Sequence, residues 1–124
     1  MKLHIDDTRT ISDIQNDFNT QFPFLKIEFF KKPHETGESS PLSEMLPSDS
    51  TLAKWRTVHN EGDLVLTAET TVDEVESGFQ NKFGVSAQVF RKSGAVWLET
   101  SATDSWTLKE QNEQGAFMET EVGE

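Results

Sequence analysis

Residues 64–98 read LVLTAETTVDEVESGFQNKFGVSAQVFRKSGAVWL, and this stretch decides the predicted fold. Its apolar side chains change spacing along the chain, which predicts a strand, a helix, a strand, a tight turn and a third strand. The helical part carries one apolar stripe on a 3.6-residue helix: Val72, Val75, Phe79 and Phe83. Thr71 and Glu74 are spaced as a capping box at its start, and Gly84 is suited to end it. The stretch therefore predicts a β-α-β unit followed by a hairpin strand.

A degraded copy of the first three elements lies 61 residues earlier in the chain. The apolar positions of the strand and helix recur there as Leu3, Ile5, Ile11, Ile14, Phe18 and Phe22. Thr10 and Asp13 take the capping positions, and Pro23 stands in place of Gly84, since proline disfavours helix in the residue before it. Beyond Pro23 the offset becomes 60. We interpret the match as an internal duplication; the alternative is that amphipathic β-α-β segments resemble one another without a common origin.

The predicted fold class is α+β in a single domain, residues 1–124. Two duplicated β-α-β units resemble the ferredoxin-like plan, an antiparallel sheet with both helices on one face. A C-terminal hairpin strand and a short helix, closed by Gly115, are added to it. The predicted boundaries are 2–32 for the first unit, 33–62 for a crossover rich in Ser, Pro and Glu, 63–101 for the second unit, and 102–124 for a helical turn and tail. Such a likeness of fold implies no activity.

The amino-acid composition limits which kinds of binding partner we expect. The chain has 22 acidic and 11 basic residues, a formal charge of −11, and no cysteine. Phosphate contacts need a concentrated basic surface, so this balance argues against nucleic-acid binding and leaves open a cationic partner. The absence of cysteine excludes disulfides, thiol nucleophiles and zinc–thiolate sites. No apolar run indicates a signal peptide or a membrane span, so we expect a cytoplasmic protein without a membrane partner.

No sequence motif indicates catalysis or cofactor binding: P-loop, GxGxxG, HExxH, GxSxG and EF-hand spacings are all missing. His4 and Asp6 occupy alternate strand positions, which can point two metal ligands the same way. However, Leu3 and Ile5 take the core-facing positions, so we expect His4 and Asp6 to face solvent. The other two histidines lie in the crossover without a third ligand nearby. We therefore expect no catalytic residues, no metal site and no cofactor.

The sheet face opposite the helices is the unusual surface of the predicted fold. A two-residue turn at Ser93 and Gly94 pairs Phe90 with Trp97 on that face, and the repeat places Phe30 at the equivalent position of the first unit. Two interpretations are open. The crossover or the C-terminal segment covers these rings, which we favour, or the rings are exposed as a homodimer seam or partner site.

Basic residues cluster at the ends of the same strands: Lys31, Lys32, Arg91 and Lys92. They can attract an acidic partner or a small anion, although charges that solubilise strand ends also explain them. The candidate partner-binding or ligand-binding residues are therefore Phe30, Phe90, Trp97, Lys32 and Lys92. The favoured function is a small non-catalytic protein–protein interaction module, with a homodimer through the aromatic face as one form. The alternatives are a ligand-binding protein or enzyme with a pocket between the crossover and the sheet, and an acidic inhibitor that mimics nucleic acid.

The C-terminal part of the sequence has a recognisable pattern, VWLET at 96–100 followed by TDSWTLKEQN at 103–112. It resembles the ending of a family of small uncharacterised bacterial proteins, and the similarity extends back through the second unit. The resemblance implies a bacterial source. It implies no activity, cofactor or site.

Overall fold

A computed structural model describes residues 1–31 and 41–122 of the chain. Within those residues the elements are, in order, β1 (Lys2–Ile5), α1 (Ile11–Gln21), β2 (Leu25–Phe30), β3 (Gly62–Val65), α2 (Val72–Phe83), β4 (Ser86–Ser93), β5 (Val96–Glu99) and α3 (Leu108–Val122). Single turns of 3-10 helix occupy Leu42–Glu44, Leu52–Lys54 and Ser101–Thr103. The fold class is α+β, as the sequence predicts. None of the helices in the described part has the length and apolarity needed to cross a bilayer.

Both predicted amphipathic helices form at the apolar stripes, and all the stripe residues are buried. Thr10 and Asp13 make a reciprocal capping box at the start of α1, and Thr71 and Glu74 make the same box at the start of α2. Gly84 ends α2 with a left-handed φ of 66°, where a side chain would be strained. Helix positions are thus determined by short-range signals in the sequence.

The strands form two antiparallel sheets, where the sequence predicts one. β1 pairs with β3 in a two-stranded ribbon, and the second sheet has the order β2-β4-β5. β2 and β4 pair directly, β5 takes the other edge of β4, and residues 44–46 hydrogen-bond to the outer edge of β2. Both edges of β4 and the C-terminal part of the outer edge of β2 are therefore occupied, while β1 and β3 pair with each other.

One hydrophobic cluster joins the ribbon, the helices and the three-stranded sheet. The sheet contributes one face to it: Leu25, Ile27, Phe29, Ala87 and Val89. The ring of Phe79 from α2 meets that of Phe29 from β2 edge-on, with centroids 5.0 Å apart at 75°. The two phenylalanine stripes therefore pack on a common sheet face, where burial of aromatic surface contributes most to stability.

The hairpin between β4 and β5 turns one residue later than predicted. Its turn is formed by Gly94 and Ala95, because Gly94 adopts a φ of 60° while no residue other than glycine has positive φ in the described chain. Glycine at the first central position is the pattern of a type II′ turn. The register consequently pairs Phe90 with Glu99 and Lys92 with Trp97. A shift of two residues preserves which face each side chain occupies.

The C-terminal helix is longer than predicted, since Gly115 does not end it. A β-carbon at Gly115 would lie 2.7 Å from Cβ and 3.1 Å from the carbonyl oxygen of Phe24, so the glycine permits close packing of α3 against that residue. Thr107 and Glu110 make a capping box at its start. The segment after Gly115, predicted as a tail, is helical through Val122.

The two halves of the chain repeat backbone contacts as well as elements. The first residue of α1, Ile11, donates its N–H to the carbonyl of Ser50 (2.9 Å), and the first residue of α2, Val72, donates to that of Trp106 (3.1 Å). Further equivalent contacts are the bridges Thr10–Thr51 and Thr71–Thr107, and the hydrogen bonds of Leu46 to Phe29 and Thr100 to Val89. Residues 46–52 therefore take the same role in the first half as residues 100–108 in the second.

Equivalent positions of the two halves also pair with each other across the sheets. Leu3 pairs with Leu64 in the ribbon, and Glu28 pairs with Gln88 between β2 and β4.

Candidate functional site

The aromatic face predicted from the sequence is largely buried. Phe30 and Phe90 lie on the sheet face opposite the main core and are 2% and 4% exposed, whereas Trp97 is half-buried. Phe30 also forms a backbone bridge with Met45 of the crossover. In this conformation Trp97 is the ring of the three that a partner can reach.

Lysine side chains of the protein itself occupy the accessible side of these rings. The ammonium group of Lys26 lies 5.2 Å from the ring centroids of Phe90 and Trp97, and that of Lys92 lies 5.1 Å from the centroid of Trp97. Such cation–π contacts favour the observed packing. Lys32 and the crossover segment 33–40 lie outside the described residues, so their part in covering the face stays a prediction.

A different group of apolar side chains is exposed, on the outer strand β5, on α3 and in the turn just before α3. Val96, Leu98, Trp106 and Phe117 are 55%, 43%, 37% and 56% exposed. We call this group the α3–β5 surface. Scattered apolar residues on a surface are ordinary, but a contiguous group of large ones is typical of an interaction site.

Arg91 connects the two parts of the α3–β5 surface. Its guanidinium lies 5.6 Å from the ring centroid of Trp106, it donates to the Gln111 side chain of α3 (2.8 Å), and it faces Leu98 across β4 and β5. Burial lowers the pKa of Arg91. Arg91 is thus the strand-register partner of Leu98, and its side chain contacts Trp106 and α3, so the apolar residues of β5 and those of α3 lie on either side of it.

A shallow groove runs along α3 within this surface. Trp106 and Phe117 line it together with Glu110, Glu113 and Gln114, and it encloses about 350 Å³. The hydrogen bond from the Thr107 backbone N–H holds the pKa of Glu110 below its ordinary value. The groove therefore combines two aromatic rings with acidic side chains, an arrangement suited to an apolar ligand that carries positive charge.

This groove was not predicted from the sequence, because Gly115 was interpreted as a helix stop and Phe117 was therefore placed in the tail. A signal was available. The residues after Gly115 include no proline, and alanine, methionine and glutamate favour helix. Val96 and Leu98 lie on the sheet face that the helices cover, but near the sheet edge, where they stay exposed.

The capping box of α3 predicts a pH dependence of stability. The folded-state pKa of Glu110 lies below its ordinary value of 4.5, so its contribution is complete above that pH and is lost as pH falls through the folded pKa. Glu110→Gln keeps a cap acceptor without a titrating group. We expect urea unfolding of this variant to depend less on pH below 4.5 than that of the parent. The control is Glu113→Gln on the same helix; an equal flattening in both variants contradicts the assignment.

Comparison with known proteins gives no match: no family model, no curated protein and no solved structure is significantly similar to this chain.

Proposed function

We propose that the protein is a non-catalytic protein–protein interaction module that binds a basic, apolar segment of another protein on the α3–β5 surface. The observation that carries the proposal is the acidic groove in which Trp106 and Phe117 stand exposed beside Glu110 and Glu113. Aromatic side chains are enriched at the centres of protein interfaces, where they bury large areas at low entropic cost.

The negative charge of the chain favours a basic partner over a second copy of the same chain as the molecule bound on the α3–β5 surface. The formal charge is −11, and the groove itself presents Glu110 and Glu113. Two such surfaces facing each other would place like charges together, whereas a basic segment would be steered toward the groove and held there.

The outer edge of β5 is a place where an extended partner segment can pair as an additional strand. In the described residues β5 is the last strand of its sheet and carries two exposed apolar residues, Val96 and Leu98. An extended segment can add to such an edge through backbone hydrogen bonds while alternate side chains contact the apolar residues. We infer that the partner segment is extended along β5 and places a basic, apolar residue in the groove.

We further propose that the two halves arose by internal duplication. The functional site then lies where the second half differs from the first. The equivalent hydrogen bonds of Ile11 and Val72, and the pairing of like residues across both sheets, support this origin. In the first half the position of Trp106 is taken by Ser50, and the helix equivalent to α3 stops after one turn at Lys54. The α3–β5 surface thus belongs to the second half alone, as a specialised site would.

A homodimer is the second candidate, favoured by the same unpaired edge of β5. A symmetric dimer would pair β5 of one copy with β5 of the other, burying Val96 and Leu98 of both. Trp97 and Lys92, on the opposite face of the sheet, would lie close to such a seam. Sedimentation equilibrium of the parent separates the two candidates by mass.

The experiment uses a short peptide of alternating lysine and leucine, titrated into ¹⁵N-labelled protein. We expect the largest amide shifts in β5 and α3, with binding that weakens as salt is raised. A lysine–serine peptide of equal charge should bind much more weakly, because it lacks the apolar side chains.

Matched variants locate the contact. Phe117→Ser and Glu113→Lys should each weaken peptide binding by about tenfold or more, a change of about 1.4 kcal/mol. Val65→Ser is the control, since Val65 is 62% exposed on β3, in the other sheet. Equal loss in the control, or shifts centred on Trp97, would contradict the proposed surface, and a dimer mass would transfer the function to the second candidate.

A further inference from the structure

Four titratable side chains meet where the β1–β3 ribbon joins the neighbouring loops. The imidazole of His4 lies between two carboxylates, with Nδ1 2.9 Å from Asp63 Oδ1 and Nε2 2.9 Å from Asp6 Oδ2. Glu61 adds a third carboxylate, its Oε1 4.0 Å from Nε2. The strand register, which pairs His4 with Asp63, assembles this group from residues far apart in the chain.

We propose that this cluster is a binding site for a divalent transition-metal ion of the Zn²⁺ type, coordinated by His4 Nε2, Asp6 Oδ2 and Glu61 Oε1. One ligand atom from each residue lies within 4.8 Å of the others. The proposal replaces the expectation from the sequence that the ribbon holds no metal site. It is independent of the α3–β5 surface.

The spacing of the ligand atoms fits a small cation. Bonds of roughly 2.1 Å in a tetrahedral site place ligand atoms about 3.4 Å apart. The observed separations from Nε2 are 2.9 Å to Asp6 and 4.0 Å to Glu61, so each must change by only about half an ångström. The Glu61 side chain is 70% exposed and can make this adjustment by rotation.

Asp6 is held in place for such a role. Its Oδ1 accepts hydrogen bonds from the Thr8 N–H (2.8 Å), the Thr8 hydroxyl (2.6 Å) and the Arg9 N–H (3.1 Å). These bonds hold the carboxylate in one orientation, with Oδ2 left to face His4.

Asp63 supplies the contact that metal-binding histidines characteristically have. When Nδ1–H of His4 donates to Asp63, the lone pair of Nε2 faces Asp6 and Glu61 and is available to a metal. Histidine ligands nearly always donate their second ring N–H to a carboxylate or carbonyl, which fixes the tautomer and increases ligand basicity. Without a metal, a protonated imidazole can donate to both Asp63 and Asp6 in this geometry, so a proton and a metal ion compete for Nε2.

Nearby charge also favours a cation. Asp6, Glu61 and Asp63 bring three carboxylates to one imidazole. The adjacent Arg9 donates to the His4 carbonyl oxygen and pairs with Asp17 at 2.8 Å, so its charge is directed away from the ligand atoms. Imidazole with carboxylates is a donor set suited to Zn²⁺, Mn²⁺ or Fe²⁺, and three protein ligands leave a position for water.

Metal binding is tested with Zn²⁺ alone by isothermal titration calorimetry at pH 8, on chelator-treated protein without an affinity tag, and with Co²⁺ by visible absorption. We expect one ion per chain and a Co²⁺ spectrum typical of low coordination number. His4→Ala should abolish binding, and Glu61→Gln should weaken it by about tenfold or more. Asp63→Asn should weaken it by about 10–100-fold without changing the stoichiometry.

Two controls separate this site from general attraction of cations to an acidic protein. His59→Ala removes a histidine that contacts Asp7 outside the cluster, and should leave Zn²⁺ affinity unchanged. Glu61→Gln alters an exposed side chain, so its effect is measurable even if His4→Ala fails to fold. Binding that persists unchanged in Glu61→Gln, or no heat and no Co²⁺ spectrum at millimolar metal, would overturn the proposal.

Discussion

Phe79→Ala is expected to lower the free energy of unfolding by about 3–5 kcal/mol, the range for truncating a fully buried phenylalanine. Phe79 is 0% exposed. Its ring centroid lies 5.0 Å from that of Phe29 in β2 and 6.1 Å from that of Phe83 in its own helix. It therefore fills the space between α2 and the sheet, and the variant loses both apolar burial and an edge-to-face ring contact. Urea unfolding followed by circular dichroism measures the loss.

The matched control is Phe117→Ala, which removes the same atoms from a side chain that is 56% exposed. We expect its stability to change by no more than about 0.5 kcal/mol. A loss below about 1 kcal/mol for Phe79→Ala would show that α2 does not pack on the sheet through its phenylalanine stripe. Since domains of this size are stable by about 5–15 kcal/mol, the Phe79 variant should remain folded but only marginally so.

The helices could be predicted because their signals are local. Thr71 and Glu74 specify the start of α2, Gly84 specifies its end, and the stripe that includes Phe79 specifies its buried side. Each signal acts over a few residues, so a sequence read in short windows contains it.

Strand pairing could not be predicted in the same way, because it depends on which edges are free. The segment around Met45 occupies the outer edge of β2, and no local pattern in the crossover indicates this. In the hairpin, the sequence Ser93-Gly94-Ala95 fits two turns that differ by one residue, and only the φ of Gly94 decides between them. The first outcome depends on contacts between residues that are distant in the chain, and the second on a choice of register that the local sequence leaves open.

The candidate sites show the same difference between local sequence signals, which allow prediction, and long-range contacts, which do not. The aromatic residues of the sheet were found from the sequence because strand alternation places them on one face, but their burial depends on covering segments that alternation does not describe. The α3–β5 surface was missed through one glycine, Gly115, whose role is close packing against Phe24. In the His4 cluster, the pair His4 and Asp6 was considered from the sequence, but Asp63 was not, because it reaches His4 only through the ribbon register.

Arg56→Met is expected to lower the free energy of unfolding by about 3 kcal/mol, since it removes a buried charge together with its hydrogen bonds to Asp7 and to the carbonyls of Phe83 and Asn60. Arg56 is 4% exposed and lies just beyond the 3-10 turn Leu52–Lys54. Its guanidinium donates to the Phe83 carbonyl at the end of α2 (3.0 Å), to Asp7 (2.9 Å) and to the Asn60 carbonyl (2.9 Å).

These three contacts make Arg56 a link between the two halves. Asp7 belongs to the loop that leads into α1, while Phe83 carries a carbonyl that the end of α2 leaves without a helical partner. A cation at a helix C-terminus is also favoured by the helix dipole. The predicted loss of unfolding free energy lies at the lower end of the range for removing one partner of a buried ion pair. The reason is that the Asp7 side chain is 33% exposed and can be hydrated again.

The measurement that separates this role from simple loss of volume is the titration of Asp7. The Arg56 hydrogen bond holds the pKa of Asp7 below its ordinary value of 3.8, with a smaller contribution from His59. In Arg56→Met, which keeps most of the apolar stem, the carboxyl pKa followed by NMR should rise toward that value. Lys54→Met, at an exposed position of the same segment, should leave both stability and the Asp7 pKa unchanged. An unshifted Asp7 pKa in Arg56→Met would show that the guanidinium does not bind that carboxylate in solution, and the link between the halves would then rest on apolar packing alone.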